Sequence, residues 1–229
     1  MDETSADAFT RIALELHKQP DTDHTVQAVA EFALATVGAD HAGVMLLHGG
    51  QRVEIAATTG PKVDRADELQ LQLDEGPCLS AIEAGEKFVI PDTRSESRWP
   101  RWCHEVSQLG ILSVLSIRLA TDSSRVGSLN LYANTTDRFN DDSDIAVAQI
   151  LARHASIALE SARKVDSLQQ AVDGRTVIGQ AQGMLMERYD LNASQAFAVL
   201  RRYSQQSNTK LAEVARKLVA TRELPNWVD

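Results

Sequence analysis

Apolar residues recur along this chain with three different periods, and each period predicts its own kind of element. Phe9, Ile12, Ala13 and Leu16 repeat at helical spacing, as do Val26, Val29, Ala33 and Val37, so two amphipathic helices open the chain. Five short apolar runs follow: AGVMLL (42–47), VEIAAT (53–58), KFVIPD (87–92), ILSVLSIRL (111–119) and VGSLNLYA (126–133). Runs of this length read as strands. His48-Gly49-Gly50 joins the first two as a hairpin, the polar turn ATDSSR joins the last two, and helical or looped segments separate the others. The expected fold class is α+β, an antiparallel sheet with flanking helices.

A third period begins at Asp142. The chain runs without proline, and its first glycine is Gly174, so one long connecting helix is predicted; about thirty residues would extend roughly 45 Å. Leu151, Ala158, Val165 and Val172 recur every seven residues, with Ala155, Ala162 and Gln169 four residues after the first three. That is a coiled-coil seam with a narrow, alanine-rich upstream half. Ile145 to Ala158 is expected to pack partly on its own sheet. Beyond Ala162, a parallel homodimer is the expected cover for Val165, Leu168 and Val172. Gly174 permits a break before the next module.

The last fifty-odd residues divide into three short amphipathic helices. Ile178, Ala181, Leu185 and Met186 form the stripe of the first, and Asn192 with Gln195 forms a capping pair for the second. The second stripe is Ala196, Phe197, Leu200 and Ser204. Asn208 or Thr209 is expected to open the third, with Leu211, Val214, Ala215 and Leu218 as its apolar face. Helices this short are unstable alone in water, so a C-terminal three-helix bundle is predicted.

Charge sharpens the division. The chain carries 23 Lys plus Arg against 32 Asp plus Glu, net −9, which argues against a generic nucleic-acid binder. Residues 174–224 nevertheless hold eight bases and four acids, leaving −13 on the rest. Screening confines charge effects to about 8–10 Å in physiological salt, so a basic segment on an acidic body can still hold a polyanion. By charge alone, an ordinary solvated helix face is the preferred reading of these bases. The expected domains are 1–163 and 164–229. No run approaches the ~20 apolar residues of a membrane span, and the N-terminus lacks a signal peptide's basic start and apolar core, so a cytoplasmic protein is expected.

The C-terminal blocks VIGQAQGMLMER, AFAVLRRYSQQSN and KLAEVARKLV closely resemble the ANTAR domain in order and spacing. That resemblance implies an RNA-binding transcription antiterminator, in which two modules held as a dimer grip a pair of RNA hairpins. Within the matching blocks, Arg175, Gln182, Arg201, Arg202 and Lys210 are the expected phosphate or base contacts. Ala181 and Gly183 would let a hairpin loop approach closely, or serve tight helix packing. The front region resembles a GAF domain, the small-molecule sensor fold, through DEGPCLSAIEAGEKFVIPD (74–92), SVLSIRLATDSSRVGSLNLYA and Phe139. This implies a ligand pocket between the sheet and the Gln70–Ala84 region, with Gly76 and Cys78 beside it. No NKFDE-like string of cyclic-nucleotide-binding GAF domains is present, nor the three cysteines of GAF-type methionine sulfoxide reductases.

Little else suggests chemistry. Cys78 and Cys103 are too few for a disulfide framework, and for Cys78 a buried structural role is preferred to redox or ligand attachment. His48, His104 and His154 fall on separate elements, without an HxxxH or CxxC pair. No Ser-His-Asp motif, phosphate loop or parallel receiver with a phosphoacceptor aspartate stands out, so no enzyme activity, cofactor or metal is expected. The alternative to antitermination is a DNA-binding or protein-interaction helical regulator under GAF control.

Overall fold

The computed structural model describes residues 3–49, 51–85 and 87–223, and side chains from Thr10 onward. It divides into two compact units, Met1–Lys164 and Val165–Asp229.

The first unit is built on five antiparallel strands: β1 (His41–His48), β2 (Arg52–Thr58), β3 (Phe88–Ile90), β4 (Ser113–Ala120) and β5 (Arg125–Ala133). Their order is β2-β1-β5-β4-β3. The alternation of β5 explains the two layers around the sheet. Leu129 and Leu131 point into one cluster, shared with α1 (Glu3–His17), α2 (Thr22–Val37) and the start of α6 (Asp142–Tyr189). Tyr132 points to the other, shared with α3 (Pro61–Leu73) and α5 (Pro100–Gln108). A fourth short helix, α4 (Pro77–Ala84), lies on that second side, with Cys78 and Ile82 against Met45. The α+β class and the five strands match expectation. Ile12 and Leu16 of the first stripe are buried, as are Val26, Val29 and Ala33. The side chain of Phe9 and the tip residue Gly50 fall outside what is described.

The second unit contains the end of α6, α7 (Ala193–Ser207) and α8 (Leu211–Thr221). Ala181, Leu185, Ala196, Leu200, Val214, Ala215 and Leu218 close on one another as its buried centre. The capping box is present: Asn192 Oδ1 accepts from Gln195 N at 3.0 Å, and Gln195 Oε1 accepts from Asn192 N at 2.9 Å.

Several expectations need correction. Gly174 does not interrupt the helix; α6 is continuous from Asp142 to Tyr189. The glycine is buried beside α8, where a Cβ of its own would lie in ordinary contact, 3.6 Å, with the Ala212 methyl. Asn208 ends α7 in a left-handed conformation (φ +50°), and Lys210 takes the N-cap position of α8. Leu151, Ala155 and Ala158 are buried in the sheet-covering cluster, in line with the expectation that Ile145 to Ala158 packs on its own sheet. Phe197, placed on the buried stripe of α7, is 39% exposed, and Met186, placed on the buried stripe of α6, is 37% exposed. Downstream on α6, Val165, Leu168 and Val172 are uncovered, at 56%, 68% and 57% exposure. Among the described residues, no helix is long and apolar enough to cross a membrane.

Candidate functional site

The second unit presents an unusually bare helix face. Arg175, Gly179, Gln182, Gly183 and Met186 lie at helical spacing on α6 and share one side of it. A methyl group added at Gly179 or at Gly183 would meet nothing within 4 Å. The Gln182 amide donates to the Ala193 carbonyl at 3.1 Å, which ties this face to the start of α7. One turn further along α7 stands the exposed ring of Phe197, and one turn beyond that the exposed Arg201, followed by Arg202. Lys210 is exposed at the start of α8. Ala181, by contrast, is fully buried in the bundle, so its small side chain serves helix packing, the second of the two roles weighed for it. Gly179 and Phe197 belong to the face although sequence reasoning did not select them. The four-residue spacing of Gly179 and Gly183 was the available signal for the first. Phe197 gave none, because an aromatic beside two apolar neighbours reads as core.

In the first unit, the segment from Asp74 to Cys78 does several structural jobs in succession. Asp74 ends α3 in the left-handed region (φ +51°). The Glu75 carboxylate accepts the backbone N–H groups of Arg101 and Trp102 at 2.7 and 3.0 Å and so caps α5. Gly76 (φ +156°) leaves room for Gln70, whose Oε1 would sit 2.1 Å from a Cβ at that position. Pro77 starts α4 where no N–H is needed, and Cys78 follows with its side chain buried.

The reach of Gln70 builds a polar cluster between these helices and the sheet. Gln70 accepts from Cys78 N at 2.9 Å and donates to Cys78 Sγ at 2.6 Å and to Asp67 Oδ1 at 3.4 Å. The Tyr132 hydroxyl donates to the same Asp67 oxygen, and Cys78 Sγ lies 3.5 Å from Ser116 Oγ and 3.6 Å from Tyr132 Oη. All five side chains are fully buried, in the region between the sheet and Gln70–Ala84. The cluster is nonetheless unsaturated. Asp67 Oδ2, Ser128 Oγ and both amide atoms of Asn130 are buried without a hydrogen-bond partner. Ser128, Asn130 and Tyr132 alternate along β5 and share this face. Buried unpaired polar atoms cost about 1–3 kcal/mol each, so a polar guest or water between them would be bound favourably.

Burial pushes the Asp67 carboxyl up to about 7, against the opposing hydrogen bonds from Tyr132 and Gln70. Burial first, and then the neighbouring Asp67 charge, hold the Cys78 thiol well above its ordinary range. It stays protonated and is a poor nucleophile. Burial also pushes the Cys103 thiol up to about 12. Among the described residues, no three His, Cys, Asp or Glu side chains gather as a metal site.

The geometry at Gly76 gives a direct expectation. Gly76→Ala should destabilise the first unit by about 3 kcal/mol, because it adds a strained backbone to a clash with a buried, hydrogen-bonded glutamine. Urea unfolding followed by the fluorescence of the buried Trp99 and Trp102 measures it. A loss under 1 kcal/mol would mean Gln70 can leave the cluster freely.

Comparison with known proteins places both units. The model of the GAF domain matches residues 19–160, and that of the ANTAR domain matches residues 166–219. A search of curated proteins finds no match. Among solved structures, the GAF domain of an Acinetobacter phosphoenolpyruvate-protein phosphotransferase superposes with a TM-score of 0.59 at 17% identity, over 73% of this chain and 99% of that one. The corresponding domain from Coxiella burnetii gives 0.58 at 18% identity, over 71% and 96%. Free methionine-R-sulfoxide reductase from Neisseria meningitidis gives 0.55 at 17%, over 72% and 95%. Likeness at this identity speaks for the fold alone. The GAF match covers more than half of the residues, and the chain therefore belongs to the GAF-domain family and joins that sensor fold to an ANTAR domain, the module of RNA-binding antiterminators.

Proposed function

We propose that this chain is a cytoplasmic, homodimeric, non-catalytic regulator that binds RNA hairpins through the face formed by α6 and α7 and so prevents transcription termination. The observation that carries this reading is the bare face itself. Gly179 and Gly183 leave the helix backbone open to close approach, with Gln182 and the exposed Phe197 ring beside it. Unstacked loop bases are read by such surfaces, through aromatic stacking and polar contacts to base edges. Arg175, Arg201, Arg202 and Lys210 supply charge for the phosphates. Input comes through the polar cluster of the first unit, from a small polar molecule or a partner. A ligand can shift the regulator only by its difference in affinity for the two states.

A direct test sets a tandem-hairpin RNA against duplex DNA of equal length in one competition assay across a salt series. Hairpin RNA should win, and affinity should fall steeply with salt as counterions are released. The double variant Arg201→Gln/Arg202→Gln should lose about tenfold in affinity and flatten the log–log salt slope by about 1.5–2. Preference for duplex DNA would favour the DNA-regulator alternative. A salt-insensitive constant would point to a protein partner instead.

A further inference from the structure

A separate pocket lies at the edge of the sheet, away from the polar cluster. Strand β3 pairs with β4 only as far as Phe88 opposite Ser116, so Ile117 to Ala120 has no strand beside it on that side among the described residues. The turns of α6 from Gln149 to Ser156, with Gly85 and Lys87, close this edge into a cavity of about 250 Å³. Lys87, Arg118 and Arg153 all line it, and no carboxylate is among its described lining residues.

Three features mark this convergence as built. Residues 1–164 carry 25 acids and 15 bases, so three bases around one cavity run against the local composition. Most of the other bases are paired, as in Arg65–Glu68, Arg94–Asp92, Arg98–Glu96, Arg101–Glu75 and Arg138–Asp144. Lys87, Arg118 and Arg153 have no ion pair or hydrogen bond with any described residue. The half-buried Arg118 guanidinium is also held in place: Gly85 (φ +80°) would put a Cβ 2.6 Å from its Nη1, so the glycine makes its seat.

We infer that this pocket binds a small phosphorylated molecule, with Arg118, Arg153 and Lys87 around its phosphate. Planar guanidinium groups match phosphate oxygens in pairs, and a lysine adds a mobile point charge. A single carboxylate would leave two positive charges uncompensated, whereas a phosphate monoester or diphosphate neutralises most of the cluster. The cavity lies just below the roughly 300–1,000 Å³ of drug-sized sites, which suits a phosphate on a small body and excludes a dinucleotide.

Inorganic pyrophosphate is the probe, titrated calorimetrically into the full-length protein at low salt, with amide shifts followed at Gly85 and Ser156. Saturable binding at one site per chain is expected, with shifts at both positions. Arg118→Gln/Arg153→Gln should weaken it at least tenfold. Lys87→Gln/Arg153→Gln alters only exposed side chains and should weaken it similarly if Arg118 proves necessary for folding. No saturation at millimolar pyrophosphate, equal binding by the variants, or displacement of pyrophosphate by hairpin RNA would each overturn the assignment. A protein that ignored pyrophosphate yet bound hairpins would lose this site alone.

Discussion

Replacing Val165 and Leu168 together by aspartate should leave the chain monomeric and weaken its hold on paired RNA hairpins by about 10²–10⁴-fold. Both side chains are largely exposed, as is Val172, and 165, 168 and 172 follow the three-then-four spacing of a helix-pairing seam. Two carboxylates on that stripe would face two more across a parallel dimer, removing apolar burial and adding repulsion. The affinity loss follows from linkage: when two modules are tethered, the second hairpin binds at the effective concentration set by the tether, and a monomer forfeits that gain. Light scattering reads the oligomeric state, and titrations with one and with two hairpins read the affinity. A single hairpin should bind the variant as well as the parent chain, because the RNA face is untouched. A variant that remained dimeric and held the paired hairpins normally would exclude this stripe as the interface. Point changes are preferable to removing the whole upstream helix, since Leu151 and Ala155 belong to the core of the first unit.

The register of that seam shows where the sequence was informative and where it stopped. The five strands fall within two residues of the apolar runs at every end, because a short run bounded by turn residues has few other solutions. The 74–78 segment stood out as a motif, and each residue in it has a local geometric role. A heptad pattern, however, records only that a stripe is apolar and never which surface covers it. Leu151 and Val165 read alike in sequence, yet one faces the sheet and the other is bare. Gly174 and Ala181 fail for a related reason. A small residue in a helix marks a break, a packing contact or an open surface, and only the neighbouring helix decides. Gly174 meets α8, Ala181 meets the bundle centre, and Gly183 meets nothing. The unsaturated polar cluster was illegible because its members come from Asp67 on α3, Cys78 on α4, Ser116 on β4 and Asn130 on β5. No local pattern links elements that meet only through the sheet.

Within that cluster, Asp67→Asn should change the pH dependence of stability more than any other single substitution proposed here. The carboxyl is raised from 3.8 to about 7 in the folded chain, chiefly by burial. Between those values the folded state holds a proton that the unfolded state has released, so stability falls as pH rises through the window. Below about pH 4 both states are protonated and the full contribution is present; above about 7 it is gone. At about 1.4 kcal/mol per unit, the wild-type chain should lose on the order of 4 kcal/mol from this group between pH 4 and 8. Asparagine keeps the acceptor for the Tyr132 hydroxyl and cannot ionise. The variant should therefore nearly match the parent at pH 4 and exceed it increasingly towards pH 8. Several surface acids are depressed and act in the opposite direction at low pH, so the difference between the two chains is the quantity to follow. Urea titrations read through Trp102, whose indole donates to the Ala66 carbonyl next to Asp67, report on this part of the fold. Parallel stability curves for the two chains from pH 4 to 8 would mean that Asp67 is ionised throughout, and that water reaches the orphaned oxygen beside Gly43.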